Sequence, residues 1–224
     1  MMPIELNATL TQRIEVSPGL AIIRVVADDW EFPAFKPGQF TVLGLPGTAP
    51  RYQISDPEEP LKDPNKIIKR AYSISSGSVR REFLEFYITL VRSGALTPRL
   101  FALSEGDPLF VSPKFTGMFT LDMVPEGAHV LLIATGTGLA PYMSMLRSQL
   151  ACNSDRQVTV VHGARHSWDL GYRSELYTLE TICNNFTYIP IISEPQDEHT
   201  RWSGHTGFIQ ELWDGGVIAE AQGF

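Results

Sequence analysis

Three side chains that lie close together in the sequence could jointly hold a large anionic aromatic ligand. Arg70 carries a guanidinium, Tyr72 an aromatic ring and Ser73 a hydroxyl. A guanidinium forks onto a phosphate, a tyrosine ring offers a stacking face, and a hydroxyl exchanges hydrogen bonds with ring nitrogens. The alternation of residues 69–76 predicts a short β-strand that carries all three groups. The same stretch also fits an ordinary edge strand, and these residues alone do not separate the two interpretations.

A second chemical signal is a glycine turn between a buried strand and a helix. Residues 129–134 form a continuous apolar run, which is typical of a strand covered on both faces of a parallel sheet. Gly136 and Gly138 follow, and a helix is predicted over 141–150. This order is the usual phosphate site of dinucleotide-binding folds, because glycine lets the backbone approach a phosphate closely. The turn departs from the G-x-G-x-x-G pattern, since position 141 is proline.

Two further positions could bind a phosphate. Arg165 follows a strand predicted at 157–163, and the carboxyl end of a parallel strand is where such a side chain meets a cofactor phosphate. Thr97 is predicted to cap a short helix over 96–103, with Pro98 as its first residue. Free N–H groups at a helix start attract anions. A plain capped connecting helix fits the same residues, and this alternative stays open.

The elements that must position these groups differ between the two halves of the chain. Before residue 124, apolar strands alternate with turns every ~8–12 residues, which predicts a closed antiparallel barrel. After Pro125, strands alternate with helices, which predicts a parallel α/β sheet with right-handed crossovers. We therefore predict two domains, 1–124 and 125–224.

Composition excludes several classes of protein. Lys and Arg total 18 against 25 Asp and Glu, and a net charge of -7 argues against a general nucleic-acid surface. Cys152 and Cys183 are too few for an iron–sulfur cluster and are expected to be reduced. His162 and His166 lack further ligands nearby, so no metal site is expected. Neither a signal peptide nor an apolar run of membrane-spanning length is visible, so we expect a cytoplasmic monomer without a membrane span.

Five motifs in order make the chain similar to a known family. They are Pro37-Gly38-Gln39-Phe40, the Arg-x-Tyr-Ser of residues 70–73, Gly136-Thr137-Gly138-Leu139-Ala140-Pro141, the His-x-Ala-Arg of residues 162–165 and the Asp-Leu-x-Tyr of residues 169–172. The chain resembles the bacterial ferredoxin–NADP reductases over nearly all its length. The resemblance implies an N-terminal Greek-key FAD-binding β-barrel and a C-terminal Rossmann-like NADP(H)-binding domain. It also implies hydride transfer from NADPH to FAD, then single electrons to ferredoxin or flavodoxin, reversibly.

The resemblance assigns roles to individual residues. Tyr72 would stack on the flavin and Ser73 would assist hydride transfer, so these two are the implied catalytic residues. Arg70 would bind the FAD pyrophosphate, and Arg165, with His166 beside it, would take the 2′-phosphate of NADP. Thr137 would sit where flavin and nicotinamide meet. The remaining implied cofactor-binding positions are Ala71 in the same strand, Tyr87, Ile88, Thr89 and Leu90 along the ribityl and adenosine part, Ala95, Leu96 and Thr97 at the pyrophosphate, and Gly136 and Gly138 at the nucleotide phosphates.

The sequence departs from the family pattern in two ways. Glu194 stands where the family often has an arginine, Phe208 stands where a second arginine is usual, and Arg201 is a candidate to compensate. The family normally continues beyond the point where this sequence stops, so we expect a fragment or an unusually open nicotinamide pocket. Two alternatives to an NADPH-dependent enzyme stay open. They are an NADH-dependent reductase component and a non-catalytic electron-transfer flavoprotein subunit.

Overall fold

A computed structural model describes residues 5–58, 63 and 66–221. Its contacts group into two compact units, which we describe separately. The first unit contains residues 1–121 and 140–148, and the second contains residues 122–139 and 149–224. The domain boundary between residues 124 and 125 stays a prediction.

The first unit is built on six strands in the order β4-β3-β6-β1-β2-β5, and every neighbouring pair is antiparallel. Strand β6 lies between β3 and β1, so the strands follow a Greek-key order rather than the chain order. The predicted antiparallel β-fold is confirmed. The strands are β1 (Ala8–Ser17), β2 (Leu20–Ala27), β3 (Phe40–Pro46), β4 (Ile67–Ser73), β5 (Leu84–Thr89) and β6 (Pro108–Val111).

The sheet curves like a barrel but does not close. Strands β4 and β5 are its two end strands, and within the described residues they form no ladder with each other. A single backbone hydrogen bond of 2.8 Å runs from the amide of Ser75, just beyond β4, to the carbonyl of Glu85 in β5. The prediction of a closed barrel was wrong on this side, because the chain leaves the ladder after Ser73 and buries Ile74 and Ser75 instead.

Helix α1 (Thr97–Ala102) forms where a helix is predicted, but its start is built differently. Leu96 is the N-cap residue, and no side chain caps the helix. The hydroxyl of Thr97 instead accepts the Val91 amide at 3.0 Å and donates to the Val91 carbonyl at 3.2 Å. The prediction that Thr97 caps the helix was wrong, because its hydroxyl closes the preceding turn.

The second unit holds a parallel sheet in the order β10-β9-β8-β7. Strands β8 and β9 are buried along nearly their whole length, and a cluster around Val161 and Ile191 is part of the core. Strand β7 is less covered, because Ile133 is 40% exposed. The predicted parallel α/β fold is confirmed. The elements from residue 130 onward are β7 (Val130–Thr135), α2 (Ala140–Gln149), β8 (Val158–Ala164), α3 (Arg173–Ile182), β9 (Phe186–Ile192), β10 (His205–Thr206), α4 (Ile209–Asp214) and α5 (Val217–Ala221). No helix in the described part of the chain has both the length and the apolar character of a membrane span.

Cys152 and Cys183 form a disulfide within the second unit, so the prediction of two reduced cysteines was wrong. The turn after α2 and the end of α3 meet beside Asn185, a buried residue whose side-chain amide donates to the carbonyls of Ala151 and Arg156 at 3.0 and 2.7 Å. A separation of 31 residues in sequence gave no sign of this meeting, because it depends on the pairing of β8 with β9, the strands that follow the two cysteines.

Reducing this disulfide is expected to destabilise the second unit by about 3–4 kcal/mol, since it closes a loop of roughly 30 residues in the unfolded chain. The measurement is urea unfolding with and without a strong reductant, followed by far-UV circular dichroism. A variant with Cys152→Ser and Cys183→Ser should already unfold at the lower urea concentration and should not respond to reductant. An identical midpoint for the unmodified protein under both conditions would contradict the disulfide.

Candidate functional site

The strand that carries Arg70 is an outer strand, and this exposes the guanidinium. Arg70 pairs with Leu43 of β3 on one side, and β4 ends the sheet on the other. One of its terminal nitrogens donates to the adjacent Lys69 carbonyl at 2.7 Å. Among the described residues no carboxylate forms an ion pair with it. The cation is therefore held by its own backbone and presents further N–H groups to solvent.

Tyr72 lies two residues further along the same strand, with its ring half-buried against the barrel core. Burial raises the pKa of Tyr72 to about 12, against the opposing effect of the Arg70 cation. The phenol is therefore neutral at physiological pH. A neutral tyrosine ring that is only partly buried can stack on a flat aromatic ligand. Ser73, also half-buried, is the last residue of the strand, and its side chain leaves the strand on the face opposite to that of Tyr72.

A buried ion cluster fixes the chain just after this strand. Glu85 is 1% exposed, and its two carboxylate oxygens accept from Arg24 at 2.7 Å and Arg147 at 2.6 Å. Arg147 also donates to the Ser75 carbonyl at 2.9 Å, and the Ser76 hydroxyl accepts the Glu85 amide at 3.1 Å. Strands β2 and β5, helix α2 and residues 75–76 are thereby joined at one carboxylate, which limits how far the Arg-x-Tyr-Ser strand can move.

Three of the four candidate residues at 87–90 lie in strand β5, and the backbone groups of two of them face its outer edge. The Glu85 carbonyl accepts from Ser75 on the side away from β2, whereas the Leu90 amide donates to Gly19 at the end of β2. Backbone groups alternate along a strand, so those of Tyr87 and Thr89 face the same outer side as Glu85. Those of Ile88 face β2, and its side chain is buried in the core. The edge can therefore offer backbone hydrogen-bonding groups to a ligand at Thr89, which is exposed.

The turn before α1 is held by a buried charge network that the sequence did not reveal. Arg51 donates to the Gly94 carbonyl at 2.9 Å, and Arg99 donates to the Ala95 carbonyl at 2.6 Å. Both arginines bind the carboxylate of Glu58, Arg99 at 2.7 Å and Arg51 at 3.3 Å. Leu96 is buried and Ala95 and Thr97 are half-buried, so this turn would contact a ligand mainly through its backbone. The long loop at 46–68 thus positions the turn.

In the second unit, the glycine turn has open space above it. Gly136 adopts a φ of +49°, and no heavy atom lies within 4 Å of the position that a β-carbon would occupy. Residues Gly136–Leu139, which include Thr137 and Gly138, form a single 3-10 turn directly after β7. A phosphate can therefore approach this backbone closely.

His162 ties the glycine turn to the sheet. Its Nε2 lies 3.3 Å from the Gly136 carbonyl, and its Nδ1 lies 3.4 Å from the hydroxyl of Tyr188. The carbonyl can only accept, so we assign the proton to Nε2, and Nδ1 then accepts from Tyr188. The side chain is fully buried, and this desolvation lowers the pKa of His162 to about 4 despite the bond to Gly136. It is therefore a neutral positioning residue.

The buried His162 should make the second unit lose stability as the pH falls. Its pKa drops from 6.5 unfolded to about 4 folded, so the unfolded state binds the proton first. The contribution of neutral His162 to the free energy of unfolding is complete above pH 6.5 and decreases towards pH 4. The total loss is up to roughly 3 kcal/mol. The check is urea unfolding at several pH values for the unmodified protein and for His162→Gln. If both show the same loss of stability between pH 6.5 and 4, the assignment to His162 fails.

Arg165 and His166 follow β8 directly, at the carboxyl end of the parallel sheet. Arg165 is exposed, and no hydrogen bond or ion pair of its guanidinium occurs among the described residues. His166 differs, because its Nδ1 lies 3.0 Å from Asp169 and its Nε2 lies 3.4 Å from both Glu194 and Asp197. The sequence suggested none of these three acidic partners, since two of them come from the loop after β9.

The residues present fit an FAD in the first unit and a dinucleotide in the second. Arg70, the Tyr72 ring and the outer edge of β5 supply a cation, a stacking face and backbone hydrogen-bonding groups. The open space above Gly136 and the exposed Arg165 supply a place for a phosphate. The structure does not show which residues would touch either cofactor, so the individual roles stay predictions.

Comparison with known proteins agrees with this geometry. The model of the oxidoreductase NAD-binding domain family matches residues 132–215. A flavodoxin/ferredoxin–NADP reductase of Shigella flexneri is 36% identical over 189 residues, which cover 84% of this chain and 68% of the relative. The chain belongs to the flavodoxin/ferredoxin–NADP reductase family.

Other members of the flavodoxin/ferredoxin–NADP reductase family are longer than this chain. The match covers 62% of a Buchnera aphidicola relative at 34% identity and 66% of an Azotobacter vinelandii relative at 33% identity. In each case it covers about four-fifths of this chain, 76% and 83% respectively. The chain therefore spans a little under two thirds of the length of these two reductases.

Among solved structures, a ferredoxin NADP+ reductase from Neisseria gonorrhoeae with bound FAD and NADP has a similar fold. The TM-score is 0.78 at 22% identity, and the alignment covers 96% of this chain and 78% of the other. At this identity the likeness shows that the family fold is present and does not assign residue roles.

Proposed function

We propose that this chain binds FAD and a pyridine nucleotide and transfers a hydride from the nucleotide to the flavin. Single electrons then pass to ferredoxin or flavodoxin, and the same route can run in reverse. The observation that carries the proposal is the neutral ring of Tyr72 beside the outward guanidinium of Arg70 on an outer strand. In a member of this reductase family, these two groups suit a flavin and its pyrophosphate.

FAD, when bound, supplies the conversion between a two-electron donor and one-electron acceptors. The protein supplies binding and orientation. Arg70 would hold the pyrophosphate, the Tyr72 ring would orient the isoalloxazine by stacking, and the Ser73 hydroxyl would supply a hydrogen bond to the flavin ring. The backbone of Thr89 and of the turn at Ala95 holds the rest of the cofactor.

In the second unit, the Gly136–Leu139 turn binds the nucleotide phosphates through its backbone, and His162 keeps that turn in place without carrying charge. Thr137 lies on this turn and is our candidate for contact with the nicotinamide. The protein electron partner is proposed from the names of the relatives, which are ferredoxin and flavodoxin reductases. A cytoplasmic location and a monomeric state stay predictions.

The experiment is a visible spectrum of the purified chain, followed by anaerobic addition of NADPH or NADH. Bound flavin that either nucleotide bleaches supports the proposed reductase. Bound flavin that dithionite reduces and neither nucleotide does would replace it with a non-catalytic electron-transfer subunit. A protein that neither contains nor takes up flavin would overturn the proposal, because Arg70 and Tyr72 carry it.

A further inference from the structure

The carboxyl ends of β8 and β9 are locked side by side, and this fixes the place of Glu194. Ala164 pairs with Ile192 at the end of the ladder, and the Ser193 amide donates to the Ala164 carbonyl at 3.0 Å. One residue further, the Glu194 amide donates to the Arg165 carbonyl at 2.9 Å. Glu194 and Arg165 are therefore neighbours at the edge of the sheet where ligands of parallel α/β folds bind.

Acidic groups outnumber basic ones at this edge. The imidazole of His166 contacts three carboxylates, those of Asp169 at 3.0 Å and of Glu194 and Asp197 at 3.4 Å. Desolvation lowers the pKa of His166, but hydrogen bonds to Asp169 and Asp197 and the nearby negative charges raise it overall. Even with the imidazole protonated, this group of four side chains carries a net charge of about −2. We call these four residues the acidic edge.

The acidic edge is held in place by contacts on two sides. The amide and hydroxyl of Ser167 donate to the Glu198 carboxylate at 2.6 and 2.7 Å, which ties the loop after β9 to the segment after β8. The ring of Trp168 stacks on His166 with 4.5 Å between centroids. The Asp197 amide donates to the Glu194 carbonyl at 3.2 Å. These contacts hold the two backbone segments that carry the acidic edge.

We propose that the acidic edge selects a dinucleotide without a 2′-phosphate, so that the chain uses NADH in preference to NADPH. This inference rests on the proposed function, which places the nucleotide phosphates at the Gly136 turn. The ribose would then lie at the same edge of the sheet, at the carboxyl ends of β8 and β9. A ribose 2′-phosphate carries −1.5 to −2 charges at pH 7 and is repelled by carboxylates. A ribose hydroxyl is a donor, and a carboxylate such as Glu194 accepts from it.

Arg165 is the cation at this edge that could still favour a 2′-phosphate. Its guanidinium is exposed and makes no hydrogen bond or ion pair among the described residues, and solvent weakens the attraction between exposed charges. Glu194 is bonded through its backbone to Arg165 itself. A phosphate that bound Arg165 would therefore also lie near the residue that carries the Glu194 charge, which repels it.

The test is isothermal titration of the purified chain with NADH and NADPH, and with AMP and adenosine 2′,5′-bisphosphate as fragments that need no flavin. We expect NADH and AMP to bind about tenfold more tightly than their 2′-phosphorylated counterparts. Glu194→Gln should shrink this ratio, and Glu194→Arg should reverse it. Asp155→Asn, which removes an exposed carboxylate just before the amino end of β8, is the matched control and should leave the ratio unchanged.

Equal or tighter binding of the phosphorylated ligands to the unmodified chain would overturn the inference. So would a ratio that Glu194→Arg leaves unchanged. A different result would contradict the proposed function. In that case NADH binds, but neither nucleotide reduces the bound flavin. Reduction of the flavin by both nucleotides with equal affinity would keep the proposed function and overturn the selectivity. Failure of every ligand to bind would overturn both.

Discussion

Arg70→Ala is expected to weaken FAD binding about 100-fold and to leave the fold unchanged. Hydrogen bonds to charged groups contribute ~1.5–3 kcal/mol each, and a guanidinium forms two of them with a phosphate. Arg70 donates only to the neighbouring Lys69 carbonyl among the described residues, so its removal leaves no buried group without a partner. Arg70→Lys keeps the positive charge and loses the bidentate hydrogen bonding of the guanidinium. We expect its affinity for FAD to lie between those of the unmodified protein and of Arg70→Ala.

The measurement is titration of the apoprotein with FAD, followed by flavin fluorescence, together with thermal unfolding without flavin. Arg80→Ala is the matched control, because Arg80 is an exposed arginine of the same unit outside the candidate site. Equal loss of affinity in both variants would show that Arg70 acts only through the overall charge. An Arg70→Ala protein that binds FAD normally would remove the pyrophosphate assignment.

Glu58→Gln is expected to destabilise the first unit by ~3–5 kcal/mol, the cost of breaking a buried ion pair from one side. Arg99 is 2% exposed, and the Glu58 carboxylate is its counter-ion at 2.7 Å. The variant would leave a buried guanidinium bonded only to carbonyls, with the Arg51 cation close by. We also expect weaker FAD binding, since the two arginines hold the turn at Gly94 and Ala95.

Urea unfolding of the apoprotein measures this effect directly. The control is Asp56→Asn in the same loop, because Asp56 pairs with Arg92 at 3.4 Å while both side chains are about half exposed. An exposed pair of this kind contributes ~1 kcal/mol or less. The interpretation fails if Glu58→Gln is no more destabilising than Asp56→Asn.

The sequence predicts the elements well wherever a local pattern determines them. Strand β8 and helix α2 lie within one residue of their predicted positions, because continuous apolar runs and helical spacing are local signals. The glycine turn is recognisable for the same reason. Its flanking strand and helix can be identified independently of everything else in the chain.

The sequence fails where the outcome depends on long-range packing. Thr97 has the right residue type for a helix cap, but its hydroxyl forms hydrogen bonds with the backbone amide and carbonyl of Val91, six positions earlier. Glu58 lies in a stretch without periodicity, so its pairing with Arg99, 41 residues away, has no local signal. His166 shows the same limit, since two of its acidic partners come from another loop. Such pairings follow from which chain segments the fold brings together.

Helix α2 has a consequence for anyone who wishes to exchange parts of this protein. Residues 140–148 group with the first unit although they follow β7 of the second, and Arg147 on that helix is one of the two cations bound to Glu85. A chimera joined at residue 124 would supply a foreign helix to a native strand β5. A chimera that keeps the ion pair between Arg147 and Glu85 must take α2 from the same parent as the first unit. The exchanged segment is then discontinuous in the sequence, because it consists of residues 1–121 and 140–148.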